Sequence, residues 1–150
     1  MKIFIDADGC PVVKNTIRIG IKYGLKLIVV KNHAVHIENT HPEHVEVVTV
    51  DKSRDSADYY IANRLSPGDL VVTQDYGLAA MVMSKHGLAI NQNGMVYSTS
   101  NIDLLLDRRH MNQEMRRKHK KHTSKFKKRT QKDNENFENA LIDFIKGHKA

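Results

Sequence analysis

The stretch Ile3-Phe4-Ile5-Asp6-Ala7-Asp8-Gly9-Cys10-Pro11-Val12 decides how the rest of the chain is read. A short apolar run ends on two aspartates one residue apart, then passes through Gly-Cys-Pro into a helical pattern. Lys2–Asp6 has the composition of a buried strand, and Pro11 suits the first helical position, where its missing N–H leaves nothing unsatisfied. Val13, Ile17 and Ile21 follow at four-residue spacing, and Gly24 stands where a residue just past a helix end would stand. Strand, acids and helix in that order open a β-α-β unit, and they put the acids where such units build ligand sites.

The same alternation runs on. Leu-Ile-Val-Val within Lys26–Lys31 reads as a strand buried on both faces. Residues 32–44 are polar and read as loop, and Val45, Val47, Val48 and Val50 make the next strand. Ser53 or Asp55 is placed to cap a helix running to about Leu65, after which Ser66-Pro67-Gly68-Asp69 turns the chain. Leu70–Thr73 is a strand, Tyr76–His86 a helix stopped by Gly87, and Leu88–Asn91 a last short strand. Asn93-Gly94 has the composition of a hairpin turn. From Ile102 the pattern becomes helical through a basic segment. A final amphipathic helix carries Phe137, Ala140, Leu141, Phe144 and Ile145 on one face. Strands alternating with helices predict an α/β protein, a three-layer α/β/α sandwich around a mostly parallel sheet, followed by C-terminal helices.

At 150 residues the chain suits a single domain, an α/β body over residues 1–100 and a basic helical extension over 101–150. Apolar content of 40% and charged content of 27% are those of an ordinary globular protein. No apolar run approaches the length needed to span a bilayer, and the first residues leave no room for a signal-peptide core. One cysteine, Cys10, allows no internal disulfide. The expected compartment is therefore the cytoplasm. The net charge of +7 lies wholly in the last third: residues 1–100 hold ten basic and ten acidic side chains, residues 101–150 fourteen and seven.

The acids are placed unevenly. In open parallel sheets ligands bind at the carboxyl ends of the strands. Asp6 and Asp8 end the first strand, Asp55 and Asp58 open the helix after the third, and Asp75 follows Leu70–Thr73. Two carboxylates about 4 Å apart repel by roughly 4 kcal/mol at an effective dielectric near 20, so such a cluster protonates or holds a cation. Oxygen donors favour Mg²⁺ or Mn²⁺, ions that keep waters and complete their shell with phosphate oxygens. Read structurally, Asp8, Asp55 and Asp75 each stand at a helix N-cap, and Asp51 and Asp69 are surface or turn residues. Asp6 resists that reading because it still belongs to the strand.

Asp6-Ala7-Asp8-Gly9 resembles the first motif of haloacid-dehalogenase-type phosphatases. That chemistry also wants a Ser or Thr ending the second strand, where this chain has Val30-Lys31-Asn32, and a paired downstream acid, where Asp75 stands alone. A fuller resemblance extends along the chain through "KIFIDADGCPV", "RDSADYYIANRLSPGDLVVTQDYGLAA", "INQNGMVYSTSNID" and "FENALIDFI". These stretches resemble the YaiI/YqxD family, a relative of the PIN and NYN nuclease domains. The resemblance implies a PIN-like α/β/α fold, and it carries acidic positions over onto Asp6 and Asp8, Asp58 with Asp55 nearby, and Asp75 of Thr73-Gln74-Asp75. Where the family has a Gly-Pro-containing stretch before its last helix, this chain reads "KHTSKFKKRTQKDNENF".

The segment from Arg108 to Lys132 holds twelve Lys or Arg and one acid. A charge run is commonly a solvated helix face, but one of a single sign also tracks a phosphate backbone. Its candidates are Arg108, Arg109, Arg116, Arg117, Lys118, Lys120, Lys121, Lys125, Lys127, Lys128 and Arg129. Phe126 is the only aromatic among them, which gives little for base stacking. Lys14 and Asn32 are weaker candidates for orienting a phosphate. His33, His36, His41 and His44 have metal-like spacing but fall in a loop and read as solvent-exposed, and Cys10 reads as a small packed residue. Together these features point to a metal-dependent nuclease or phosphodiesterase acting on RNA. Asp6, Asp58 and Asp75 would be catalytic and, with Asp8 and Asp55, would hold Mg²⁺ or Mn²⁺. The alternative is a nucleic-acid-binding or regulatory module without turnover.

Overall fold

The computed structural model describes residues 1–32, 36–51, 56–107 and 128–149. Within them five strands form one parallel sheet: β1 (Lys2–Asp6), β2 (Lys26–Asn32), β3 (Val45–Val50), β4 (Leu70–Val72) and β5 (Leu88–Ile90). The spatial order is β3-β2-β1-β4-β5. The chain builds outward from β1 to one edge, then returns to the other side of β1, so the direction of growth reverses between β1 and β4. Such a reversal splays the loops leaving the two strands and opens a crevice at their carboxyl ends.

Alternation along each strand supplies two cores. Ile3, Ile5, Leu27, Val29, Leu70 and Val72 face one side of the sheet, whereas Phe4, Ile28, Val30 and Val71 face the other. Helix α1 (Val13–Lys22) and the last helix, α5 (Gln131–Lys149), cover the first side. From α5 come Phe137, Leu141 and Ile145, all fully buried, and Arg18 of α1 pairs with Glu138 of α5. Helices α2 (Ala57–Arg64) and α3 (Tyr76–Ser84) cover the second side, with Ile102 of helix α4, seen over residues 102–107. The expected three-layer α/β arrangement with a parallel sheet and C-terminal helices is what forms.

Several local readings shift. Helix α1 begins at Val13, because Pro11 lies in the turn that Gly9, at φ +70°, allows. Its first turn has no side-chain cap; the Val12 carbonyl accepts from both the Thr16 N–H and Thr16 Oγ1. The end is as the sequence reads, with Gly24 left-handed and the Gly24 and Leu25 N–H groups closing on Ile21 and Gly20 carbonyls. At the end of α3 the left-handed residue is His86, at φ 64°, not Gly87. A Cβ on Gly87 would stand 2.6 Å from Leu65 and 2.8 Å from Val82, so its small size serves packing. The Asn91–Gly94 turn closes through a single antiparallel bridge between Ile90 and Val96. Asp55, Ser53 and residues 108–127 lie outside the described residues.

Asp69 is neither a surface residue nor a simple turn residue. It is 4% exposed and accepts hydrogen bonds from the backbone N–H groups of Lys2 and Ser66, each at 2.9 Å, with Lys2 Nζ 3.6 Å away. It fastens the start of β1 to the start of β4. We expect Asp69→Ala to lower the unfolding free energy in urea by about 2–4 kcal/mol, the scale of stranding buried donors. Lys2→Met should cost less than about 1 kcal/mol, because the ammonium contact is partly exposed.

Candidate active site

The crevice at the strand-order reversal is a cleft of about 670 Å³, whose walls include Asp6, Asp8, Ser56, Asp58, Gln74 and Asp75. Four carboxylates from three separate chain segments therefore line one cleft. Asp6 arrives as the last residue of β1, Asp58 from the first turn of α2, and Asp75 from the residue that caps α3. No lysine or arginine is among the described residues lining the cleft.

Thr73, immediately after β4, organises this edge. Its Oγ1 donates to Asp6 Oδ2 at 2.8 Å and accepts the Asp75 N–H at 2.9 Å. The Thr73 carbonyl in turn accepts from the buried Tyr97 hydroxyl at 3.2 Å, and Tyr97 meets Tyr76 edge-on. Gln74 Nε2 donates to the Gly9 carbonyl at 2.6 Å, tying the loop after β4 to the loop after β1. Thr73 is only 1% exposed, so its hydroxyl has little freedom to choose other partners.

The carboxylates differ in what holds them. Asp75 Oδ1 accepts from the Gly77 and Leu78 N–H groups, at 2.8 and 3.3 Å, and so caps α3 as well as facing the cleft. Asp58 Oδ1 accepts from the Ser56 hydroxyl and from the Tyr59 N–H. Asp8 does not cap α1; its Oδ1 accepts the Asn32 N–H at 3.1 Å and joins the ends of β1 and β2. Asp6 stands apart. Burial raises its pKa to about 6, against the lowering effect of Thr73, with Asp75, Asp8 and Asp58 adding like charge.

Thr73, Gln74, Ser56 and Tyr97 carry no charge, and little in the sequence marks them for a site. The one signal is the place of Thr73 in Thr73-Gln74-Asp75, two residues before the acid. Cys10 sits half-buried beside the site, its thiol pushed up by burial, as befits a packed residue and not a nucleophile. His36, His41 and His44 are exposed, and Lys14 is exposed on α1. Asn32 is buried at the end of β2. Lys128 is exposed. Arg129 spends its guanidinium on protein: it donates to Asn134 Oδ1 and Asn93 Oδ1 and to the Gln92 carbonyl, at 2.7, 2.8 and 2.7 Å.

Whether the cleft suits a cation follows from its donor set. Hard oxygen donors without a described counter-charge, one of them titrating near neutrality, are what Mg²⁺ or Mn²⁺ would relieve. Among the described residues no three His, Cys, Asp or Glu side chains are already gathered around one point. The fit is therefore to a hydrated ion taking one or two carboxylates, the usual habit of Mg²⁺, and not to an all-protein cage.

Fold and site together define an α/β protein with an acidic crevice at the switch point of a parallel sheet. The family follows from comparison: residues 4–147 match the family described as "Uncharacterized BCR, YaiI/YqxD family". The chain is 49% identical over 145 residues to the UPF0178 protein of Alkaliphilus oremlandii, covering 97% of this chain and 91% of that one. It is 41% identical over 145 residues to the UPF0178 protein of Natranaerobius thermophilus, covering 97% and 96%. The chain belongs to the YaiI/YqxD family, whose match spans Asp6-Ala7-Asp8-Gly9. Among solved structures, Rae1 (YacP) of Bacillus subtilis, as a W164L mutant, is 17% identical with a TM-score of 0.42, covering 98% of this chain and 99% of that one. A likeness that loose carries nothing across.

The raised pKa of Asp6 has a stability consequence. Its folded value of about 6 exceeds the ordinary 3.8, so the fold binds this proton more tightly than the unfolded chain does. The contribution is fully present below about pH 4 and is lost as pH rises through 6. Asp6→Asn is expected to raise the melting temperature at pH 7.5 and to change it little at pH 4. The gain is at most about 2–3 kcal/mol, since each pKa unit is worth about 1.4 kcal/mol. Thr73→Val should move the Asp6 carboxyl titration, followed by carbon-13 NMR, upward from the parent value.

Proposed function

We propose that the chain is a metal-dependent nuclease or phosphodiesterase acting on RNA at the acidic cleft. The observation that carries this reading is the meeting of Asp6, Asp8, Asp58 and Asp75 at the β1/β4 reversal, with Asp6 poised near neutrality. Asp6 and Asp75 would hold a hydrated Mg²⁺ or Mn²⁺, and Asp58 and Asp8, which line the same cleft, would reach it through its waters. When bound, such an ion supplies charge neutralisation at a phosphodiester and a water of lowered pKa.

The chain's own residues have separate tasks. Thr73 occupies one lone-pair direction of Asp6 Oδ2 and so holds this carboxyl in the cleft wall. Asp75 is fixed by α3's first N–H groups, which hold its Oδ1 at the helix start beside the cleft. Gln74 holds the rim of the cleft through Gly9. The basic run supplies what an acidic cleft lacks, an attraction for polyanions. Lys128 and the neighbouring strap Arg129 bring the end of that run to the Gln92–Asn93 turn just past β5, on the same carboxyl edge of the sheet. RNA is favoured over a small phosphate ester because the positive charge is an extended segment and not a single side chain.

One observation favours the alternative of a binding module without turnover: Asp8, Asp58 and Asp75 each already accept a backbone N–H and so have structural work. Replacement of Asp6 separates the two. With Mn²⁺ and single-stranded RNA, Asp6→Asn and Asp75→Asn are expected to reduce cleavage by about 100-fold or more, the scale of losing a preorganised charge. RNA affinity should be retained, and EDTA should abolish cleavage in the parent protein. Absence of Mn²⁺-dependent cleavage in the parent would leave the binding module standing and remove the enzyme.

A further inference from the structure

Beyond the acidic cleft, a second hollow of about 520 Å³ lies between the exposed edge strand β3 and the end of α2. Its walls include Thr49, Asp51, Tyr60, Asn63 and Arg64, and it shares Val50 with the acidic cleft. The two hollows therefore adjoin around the end of β3. Their chemistry differs: the first is lined by carboxylates, the second by a guanidinium, an amide, a phenol ring, a hydroxyl and a single acid.

The Arg64 guanidinium lies 3.8 Å from the centre of the Tyr60 ring. Tyr60 and Arg64 are four apart on α2, so the helix itself brings them onto one face. Stacking on Tyr60 orients the guanidinium without using its N–H donors. Among the described residues no carboxylate forms an ion pair with Arg64, and both Arg64 and Asn63 are exposed. A guanidinium plane stacked on an aromatic ring is a platform for an unpaired base, its edge a donor to phosphate, and an adjacent amide suits a base edge.

We propose that this hollow is a subsite for a nucleotide flanking the one at the acidic cleft, in a single-stranded RNA. The base stacks on the outer face of Arg64, the guanidinium edge donates to the adjoining phosphate, and Asn63 contacts the base edge. Single strands are selected because a duplex keeps its base faces covered. The inference rests on the nuclease reading for its substrate, and Arg64 is a binding residue remote from the reacting atoms.

The test is fluorescence anisotropy with a labelled single-stranded RNA about ten nucleotides long, a length typical of single-strand binding sites, in EDTA so that nothing is cut. Arg64→Ala should weaken binding about tenfold, the effect of losing one stacked base. Asn63→Ala, an exposed change that leaves the fold intact, should weaken it by a smaller factor, and a duplex of the same sequence should bind equally to parent and variants. The rise in melting temperature on adding Mn²⁺ should be the same in Arg64→Ala as in the parent. Unchanged RNA affinity in both variants overturns the subsite, as does a variant that loses thermal stability alone, which would make Arg64 only a stabiliser of the α2 end. Loss of RNA affinity in both variants, with no Mn²⁺ effect in the parent, would retain the subsite and remove the metal cleft, so the two failures are distinguishable.

Discussion

The hydrogen bond from Thr73 Oγ1 to Asp6 Oδ2 crosses the seam on which the rest of the structure depends. β1 and β4 are far apart in sequence, and between them the sheet reverses its direction of growth. The seam is fastened at both ends by an aspartate. At the start, Asp69 receives the Lys2 N–H; at the finish, Asp6 receives the Thr73 hydroxyl. Between these clamps only apolar side chains meet, Ile3, Phe4 and Ile5 against Leu70, Val71 and Val72, and the hydrophobic pattern sets their register. The polar clamps agree with that register at both ends. The difference between them is exposure: Asp69 is closed off by its donors, whereas Asp6 keeps one edge toward the cleft.

That difference makes Asp6 the costly residue of the fold. A half-buried carboxylate with three others nearby is destabilising when ionised, and the protein tolerates it where an apolar residue or an asparagine would fill the same volume. Thr73 offsets part of the penalty, but its hydroxyl also holds the Asp75 N–H, so one side chain sets the spacing of two acids. Tyr97 then pins Thr73 from behind. Asp6 and Asp75 are thus set by one buried side chain, with Asp58 on α2 and Asp8 in the loop after β1 beside them. A destabilised carboxylate in a cleft at the edge of an otherwise apolar core marks a candidate functional site.

What the sequence disclosed follows the range of each interaction. The strands were legible because alternation and β-branched runs are local, and both faces of the sheet are covered. Asp6, Asp58 and Asp75, the acids whose positions suggest chemistry, line one cleft, because a parallel sheet puts all strand ends on one edge. Nothing in the sequence signals that Asp8 ties down Asn32, or that Asp69, besides closing the Ser66–Asp69 turn, receives Lys2: these partners are 24 and 67 residues distant. A short polar residue before a helix or in a turn has an obvious local explanation, and nothing in the local pattern announces a long-range one. Thr73 is hidden on similar grounds, since a buried threonine ending a strand is ordinary until its hydroxyl is seen to have two partners.

The charge distribution gains a meaning from where Arg129 is spent. As one cation in a run of many, it looks interchangeable with its neighbours. In the structure it is the fastening that secures the Gln92–Asn93 turn to the first turn of α5 through Asn134. Helix α5 is in turn held to the sheet by Phe137, Leu141 and Ile145 and to α1 by Glu138. The end of the basic run is thereby anchored to the strand edge that carries the acids, and Arg129 is near enough to offset part of the burial-driven rise of the Cys10 thiol pKa. On the proposed reading, the described end of the run stands on the same sheet edge as the acidic cleft, so a positive segment and a carboxylate cluster are held on one side of the fold by Arg129, a residue that is not itself part of the cleft.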